Sequence, residues 1–273
     1  MLTSVKADRY DREYFENVFR TIDFHIPVTE TSFGHIYRTA ASLADILPAD
    51  HVVDFGCGSG DMTMYLFWRF GCRVTGIDYS ADAIAVAKEH QKLFVTHNQV
   101  LEADRLQFLE AKNEALPALT DIQYVFLTDV IEHLYDPEIA VILSSFPRWK
   151  GTRPLRLVFH TDNNNFLWFI RPVLDLLSLI TGRTTRQIIH ERNVWEGERH
   201  VNLTTPHELS QIVDRHGYVV EKVMYSPLDL ATLRQQLGSL GGIEVVVRVA
   251  FFLAKHLTFL RPSFYLVARY EQK

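Results

Sequence analysis

The sequence predicts a doubly wound α/β fold built on a mostly parallel, seven-stranded sheet. Three observations point there. Between residues 51 and 161, short β-branched or aromatic runs alternate with helical patterns, as in successive βαβ units. The first run, "VVDF", leads directly into glycines at 56, 58 and 60 and then into an amphipathic stretch. After the fifth run, a segment too long for an ordinary connection interrupts the alternation and carries an apolar helix pattern of its own.

In chain order, residues 1–50 are expected to form a helical lid, and strands are expected at 51–55, 73–77, 105–109, 122–128 and 155–161. Between them "DMTMYLFWRFG" and "SADAIAVAKEHQKLF" place apolar residues three and four apart, which makes them crossover helices, with Ser80 as the cap of the second. Residues 162–204 read as an inserted cap, and an insertion after a strand's carboxyl end lies over the ligand crevice of an open α/β sheet. Thr205, Pro206 and Glu208 spell a helix start in which hydroxyl and carboxyl reach each other's backbone N–H, and Gly217 stops that helix before a strand. The last strand is expected at 264–270. Just before it, "GGIEVVVRVAFFLAKHLTFLRPS" is apolar with scattered cations, so it is either a helix packed on the sheet or cap, or a surface that meets a lipid or lipid-linked substrate. The whole chain of 273 residues reads as one domain.

Composition narrows the partners. The formal net charge is −5 and the cations are dispersed, so no basic field suited to DNA covers the surface, and a small-molecule substrate is the better expectation. Oligomeric state is not legible. The two cysteines, Cys57 and Cys72, are too few for a disulfide-built domain and fit a reducing compartment. The opening "MLTSVKADRYDREYFENVF" carries charges where a signal peptide needs an apolar core, so a cytoplasmic protein is expected.

The glycine loop carries the chemistry. A dinucleotide fingerprint reads G-x-G-x-x-G and sets pyrophosphate at the helix start. Here the spacing is G-x-G-x-G, and Asp54 precedes it while Asp61 opens the helix. Carboxylates there repel pyrophosphate and suit a cationic amine, which weighs against a nicotinamide dehydrogenase. The second strand ends "GIDYS", placing Asp78 where a carboxylate grips both hydroxyls of a ribose. "DFGCGSG" followed at this distance by Asp78 resembles the class I S-adenosylmethionine-dependent methyltransferases, in particular the small-molecule, ubiquinone-biosynthesis-like branch. "VFLTDVIEHLYDP" and "RHVNLTTPHELSQIVDRHGYVV" resemble later segments of that branch, so the resemblance runs over roughly residues 50–225. It implies a Rossmann-like methyltransferase fold and S-adenosylmethionine as cofactor. Gly56, Cys57, Gly58 and Gly60 would line its methionine end, Asp54 would lie under the amino group, Asp78 would hold the ribose and Tyr79 would pack on adenine. Asp129 and Val130 would stand near the methionine, and Pro137 would start the next helix. One departure concerns adenine: the family's acid before "EALP" is replaced by Lys112-Asn113, which passes that contact to Asn113 or to backbone groups.

Methyl transfer to a hydroxyl needs alignment, exclusion of water and a base. His133, His160 and His200 are the catalytic candidates, because all three fall on the predicted crevice rim. Asp162 stands beside His160. Glu132 and His133 also read as a bridge from sheet to cap. With His200 they imitate the divalent-metal site of small-RNA 3′-terminal methyltransferases, but the further acid that site requires is Asp129, one methylene short. No metal is therefore assigned, and a metal-dependent RNA 2′-O-methyltransferase ranks second to a small-molecule O-methyltransferase. A non-catalytic, cofactor-binding regulator is the third alternative. Tyr14 and Phe15 are candidate lid residues, Arg38 a candidate partner for the cofactor carboxylate. Phe166, Leu167, Trp168, Phe169 and Trp195 in the cap would either stack on an acceptor or form the cap's own core.

Overall fold

Strands covered on both faces must be apolar along their whole length rather than alternating. β1 (His51–Phe55) and β4 (Ile122–Thr128) are buried at every position but one end and apolar apart from His51 and Asp54 in the first and Gln123 and Thr128 in the second. They form the centre of the sheet in a computed structural model that describes residues 22–111, 116–169, 201–227 and 244–271, with isolated positions at 12, 172, 176 and 179. The remaining strands are β2 (Arg73–Asp78), β3 (Leu106–Glu110), β5 (Arg156–Asp162), β6 (Tyr218–Tyr225) and β7 (Ser263–Tyr270). Their order across the sheet is β3-β2-β1-β4-β5-β7-β6. β1 pairs in parallel with β2 and β4, β2 with β3, and β4 with β5. β7 runs antiparallel to both β5 and β6 and is the one reversed strand.

Each of the six strands given bounds in the sequence lies within one residue of its expected place, and β2 runs one residue further, so that Asp78 is its last residue, paired with Glu110. Successive strands are added outward to one side as far as β3 and to the other side from β4, so the order of strands reverses between the parallel β1 and β4. That reversal opens a crevice at their carboxyl ends.

Helices cover both faces. On one face Val52, Phe126, Val158 and Val267 pack with α1 (His35–Ala41), α2 (Asp61–Phe70) and α3 (Ala81–His97), through Ala40, Leu66 and Phe94. On the other, Val53, Val125, Leu157 and Leu266 meet α4 (Asp136–Ser145), which has Pro137 in its first turn, through Ile139 and Leu143. α6 (Pro206–Arg215) covers the same face through Leu209 and Val213. Between these, α5 (Asn164–Phe169) leaves the end of β5, and α7 (Glu244–His256) precedes β7.

The capping signals hold. Ser80 Oγ accepts from Ala83 N at 3.2 Å. Thr205 Oγ1 accepts from Glu208 N at 3.2 Å while Glu208 Oε2 accepts from Thr205 N at 2.8 Å. These bonds satisfy donors that a helix's first turn cannot satisfy internally. Among the described residues, no helix is long and apolar enough to cross a membrane. Tyr14, Phe15, Asn113, Trp195, His200 and the side chain of Leu167 lie outside the described residues.

Candidate active site

The loop after β1 is held from below by β2. Gly56 N and Cys57 N both donate to Ile77 O, at 2.7 and 3.0 Å. Gly58 N donates to Asp78 Oδ2 and Ser80 N to Asp78 Oδ1, each at 2.9 Å. A carboxylate has about four lone-pair sites, so Asp78 keeps acceptor capacity beyond its backbone donors. Gly56, Gly58 and Gly60 have φ of +75°, +50° and +88°, a region that L side chains avoid. The space a Cβ would take at Gly60 is already filled by Phe108 Cζ, 2.7 Å away, and at Gly56 by Val130 Cγ2, 2.5 Å away. These two glycines are thus needed for the loop's own closure, whatever it binds.

Four acids gather around this loop. Asp54, in β1, is buried and accepts a 2.6 Å hydrogen bond from Thr63 Oγ1. Burial pushes its carboxyl up to about 7 against the opposing pull of the Thr63 bond, with Asp78 adding repulsion. Burial likewise raises Asp78, against the three backbone N–H groups near it. Asp61 opens α2 and is buried. The fourth, Asp129, follows β4 with φ +56°, a left-handed conformation that an Asp tolerates better than most residues. Tyr37, on α1, stands close enough to Asp61, Asp129 and Asp54 that their charges, after burial, hold its hydroxyl well above the ordinary tyrosine range. Cys57 is buried, and that burial raises its thiol too.

Asp129 also binds a histidine. Its backbone N donates to His160 O at 3.0 Å, and its Oδ1 lies 2.6 Å from His160 Nδ1. A carboxylate only accepts, so Nδ1 carries the proton and Nε2 of a neutral ring keeps its lone pair. The ring is 2% exposed, packs on Tyr265 at a 4.6 Å centroid distance, and its Nε2 has no hydrogen-bond partner. Buried polar atoms are nearly always satisfied, so an orphan of this kind marks a position to explain.

The structure brings together Asp54, Gly56, Cys57, Gly58, Gly60, Asp78, Asp129, Val130 and His160. Tyr79 follows Asp78 directly and is 44% exposed. His133 occupies a separate 3-10 turn, Ile131–His133, whose neighbour Glu132 is buried and accepts from Thr161 Oγ1 at 2.9 Å. Burial, then Asp129 and Asp162, raises the Glu132 carboxyl, and Asp162 is pushed to about 6 by burial and by Asp129. Glu132 O also accepts from Val201 N and Asn202 N, so this residue ties the crevice to the chain entering α6. Among the described residues no group of three His, Cys, Asp or Glu is set to hold a metal ion. Two members of the site had no signal of their own: Thr63, an ordinary helical threonine, and Tyr37, whose neighbour Arg38 was the residue singled out.

The raised acids set a pH dependence. Asp54 and Asp162 hold their protons more tightly folded than unfolded, where an aspartate titrates near about 3.9. Their contribution to stability is therefore full below that value and is lost as pH rises towards about 7 for Asp54 and about 6 for Asp162. The melting temperature of the ligand-free chain is expected to fall across this window, and Asp54→Asn to flatten the upper part of the fall. A melting curve that rises through the window removes this assignment.

Residues 52–149 match the family model described as a methyltransferase domain. An (S)-tetrahydroprotoberberine N-methyltransferase of Eschscholzia californica is 27% identical over 157 residues, which cover 56% of this chain and 39% of that one. A ubiquinone biosynthesis O-methyltransferase of Sodalis glossinidius is 34% identical over 87 residues, 32% of each chain. The chain thus spans well under half the length of these curated relatives. Among solved structures, a geranyl diphosphate C-methyltransferase from Streptomyces coelicolor A3(2), in complex with Mg2+, geranyl diphosphate and S-adenosyl-L-homocysteine, superposes with a TM-score of 0.58. That superposition covers 97% of this chain and 98% of the other at 14% identity, a likeness of fold.

Proposed function

We propose that this chain, whose core is a class I S-adenosylmethionine-dependent methyltransferase domain, transfers a methyl group to a small-molecule acceptor, and that the accepting atom is oxygen. The observation that carries the proposal is the acid-walled loop. Asp54, Asp61, Asp78 and Asp129 surround a crevice at the switch point of the sheet, where a ligand bearing both an ammonium and a sulfonium is favoured and a pyrophosphate is repelled. When bound, S-adenosylmethionine supplies an electrophilic methyl group.

The chain's own residues then have separate tasks. Asp78 accepts from the ribose hydroxyls with the acceptor capacity left over from Gly58 N, Ser80 N and Tyr79 N. The exposed Tyr79 ring offers a face to adenine. Cys57, Gly58 and Val130 frame the methionine end, and Asp54, ionised beside a bound ammonium, gives up the proton it holds in the free protein. Cofactor binding near neutral pH is therefore accompanied by proton release from the protein, and its calorimetric enthalpy should depend on the ionisation enthalpy of the buffer. His160, held by Asp129, takes the acceptor's hydroxyl proton at Nε2, and the carboxylate steadies the imidazolium that forms. His133 and His200 are the other two candidates for contact with the acceptor.

A screen with labelled cofactor against hydroxylated metabolites, sugars and lipids tests the activity. Binding of NAD in place of S-adenosylhomocysteine overturns it. His160→Ala is expected to lower kcat by about 10²- to 10⁴-fold, the range of a general base, with cofactor affinity little changed. An unchanged kcat assigns His160 to packing against Tyr265.

A further inference from the structure

The described residues carry a second surface that the crevice does not use. Its first half leaves the end of β5: Trp168 is 72% exposed and Phe169 60%, although Phe166 on the same short helix is buried. Pro172, Leu176 and Leu179 are further exposed helical positions beyond it. The second half is on α7, where the exposed residues Arg248, Val249, Phe252, Lys255 and His256 fall on one helical face, with Phe252 61% exposed.

The two halves meet. The rings of Phe169 and Phe259 stand edge to face at 6.3 Å. Asn163, fully buried, donates from Nδ2 to Phe259 O at 2.8 Å and to Arg261 O at 2.7 Å, and its backbone N donates to Pro262 O. Because Asp162 pairs with Ser263, both halves emerge at the carboxyl end of β5, the end of the sheet at which the crevice opens.

A soluble monomer rarely leaves so many large apolar side chains exposed on adjoining elements. Here the apolar face is mixed with cations on a chain whose net charge is −5, so the local charge opposes the global one. That combination of a polar-flanked apolar stripe, aromatic residues and Lys or Arg on the same face is what lies in a lipid headgroup boundary. Self-association fits less well. An isologous contact between two copies would bring the α7 cations towards one another, whereas an anionic surface neutralises them. No described helix is long and apolar enough to cross a membrane.

We propose that this face docks the protein on an anionic lipid bilayer, with Trp168, Phe169 and Phe252 inserted at the headgroup boundary and Lys255 and Arg248 against the lipid phosphates. The crevice then opens beside the membrane, where an acceptor with a hydrophobic tail is concentrated. The docking itself does not depend on the methyl-transfer reading.

Flotation of the full chain with vesicles of phosphatidylcholine, with and without phosphatidylglycerol, tests it. The chain is expected to float with the anionic vesicles and to be released by salt. Lys255→Ala should weaken binding about five-fold, the worth of one cation at such a surface. Phe252→Ser should weaken it by about ten-fold or more, through lost apolar burial. Both variants should keep the wild-type melting temperature and S-adenosylhomocysteine affinity, which separates loss of docking from loss of fold. A chain that stays with the unbound fraction at every lipid composition overturns the proposal, and equal binding to neutral vesicles overturns its electrostatic half. Concentration-dependent dimerisation abolished by Phe252→Ser gives the face to a second copy instead.

Discussion

Asp78→Ala is expected to remove measurable binding of S-adenosylhomocysteine. Two effects add. The direct one is the loss of an acceptor for two ribose hydroxyls. Hydrogen bonds to a charged group are worth about 1.5–3 kcal/mol each, so the pair amounts to roughly 3–6 kcal/mol, or about 10²- to 10⁴-fold in affinity. The indirect one is architectural, since Asp78 accepts from Gly58 N in the loop and from Ser80 N at the start of α3. Without the carboxylate both donors lose their partner, and the loop loses a tie to β2 beyond the bonds of Gly56 N and Cys57 N to Ile77 O. Asp78→Asn keeps the volume and one carbonyl oxygen but turns an NH2 group towards one of those two N–H donors. It should therefore bind more weakly than wild type and no better than about a tenth as well, the effect of losing one charge-assisted contact. Calorimetry at a temperature well below each variant's melting point is the measurement. Near-unchanged affinity in Asp78→Ala would remove the placement of the cofactor at this loop.

What made Asp78 visible in advance was strictly local: a strand pattern ending in an acid, a fixed distance after three alternating glycines. The same holds for β1 through β5, for the Thr205–Glu208 capping box and for Ser80, all written within a few residues of where they act. The Asp129–His160 pair is different. Its members are 31 residues apart, and their 2.6 Å contact exists only because β4 and β5 lie side by side in parallel, with Thr128 opposite His160. His160 was legible as a strand-end histidine; its partner was not, because Asp129 looked like a residue for the methionine end of the cofactor. Tyr37 is a further case. Amphipathic spacing put α1 on the sheet but left open which of its polar side chains faces the acids, and Arg38, which can pair with a carboxylate, drew attention from a tyrosine whose hydroxyl stands among Asp61, Asp129 and Asp54. In the sequence, packing of 241–263 on the sheet or cap is the favoured reading and a lipid-facing surface the alternative. Exposure of Phe252, on which the docking proposal rests, and contact of Phe259 with Phe169 are both tertiary facts that spacing along the chain does not carry.

Gly56→Ala should be among the most destabilising single-methyl additions in the molecule, for reasons that can be separated. At φ +75° an L side chain costs about 1–2 kcal/mol whatever surrounds it. The new methyl would also stand 2.5 Å from Val130 Cγ2 and 3.3 Å from Cγ1, and Val130 is itself packed in the core, so relief needs a shift of the backbone and costs about 1–3 kcal/mol more. Gly71 supplies the control: its φ is +60°, yet nothing lies within 4 Å of the position a Cβ would take. Gly71→Ala should therefore show the conformational cost alone, and the difference between the two variants in urea unfolding isolates the clash with Val130. Adding Val130→Ala to Gly56→Ala should return that difference without returning the conformational part, a coupling expected of residues in contact. Because Gly56 N and Cys57 N share Ile77 O, a backbone shift at Gly56 also lifts the loop from β2, and cofactor affinity should fall with stability in Gly56→Ala while it stays at the wild-type level in Gly71→Ala. Equal destabilisation of the two variants would mean that Val130 yields freely, and the tight closure of the loop between β1 and the turn after β4 would then be no part of how the site is held.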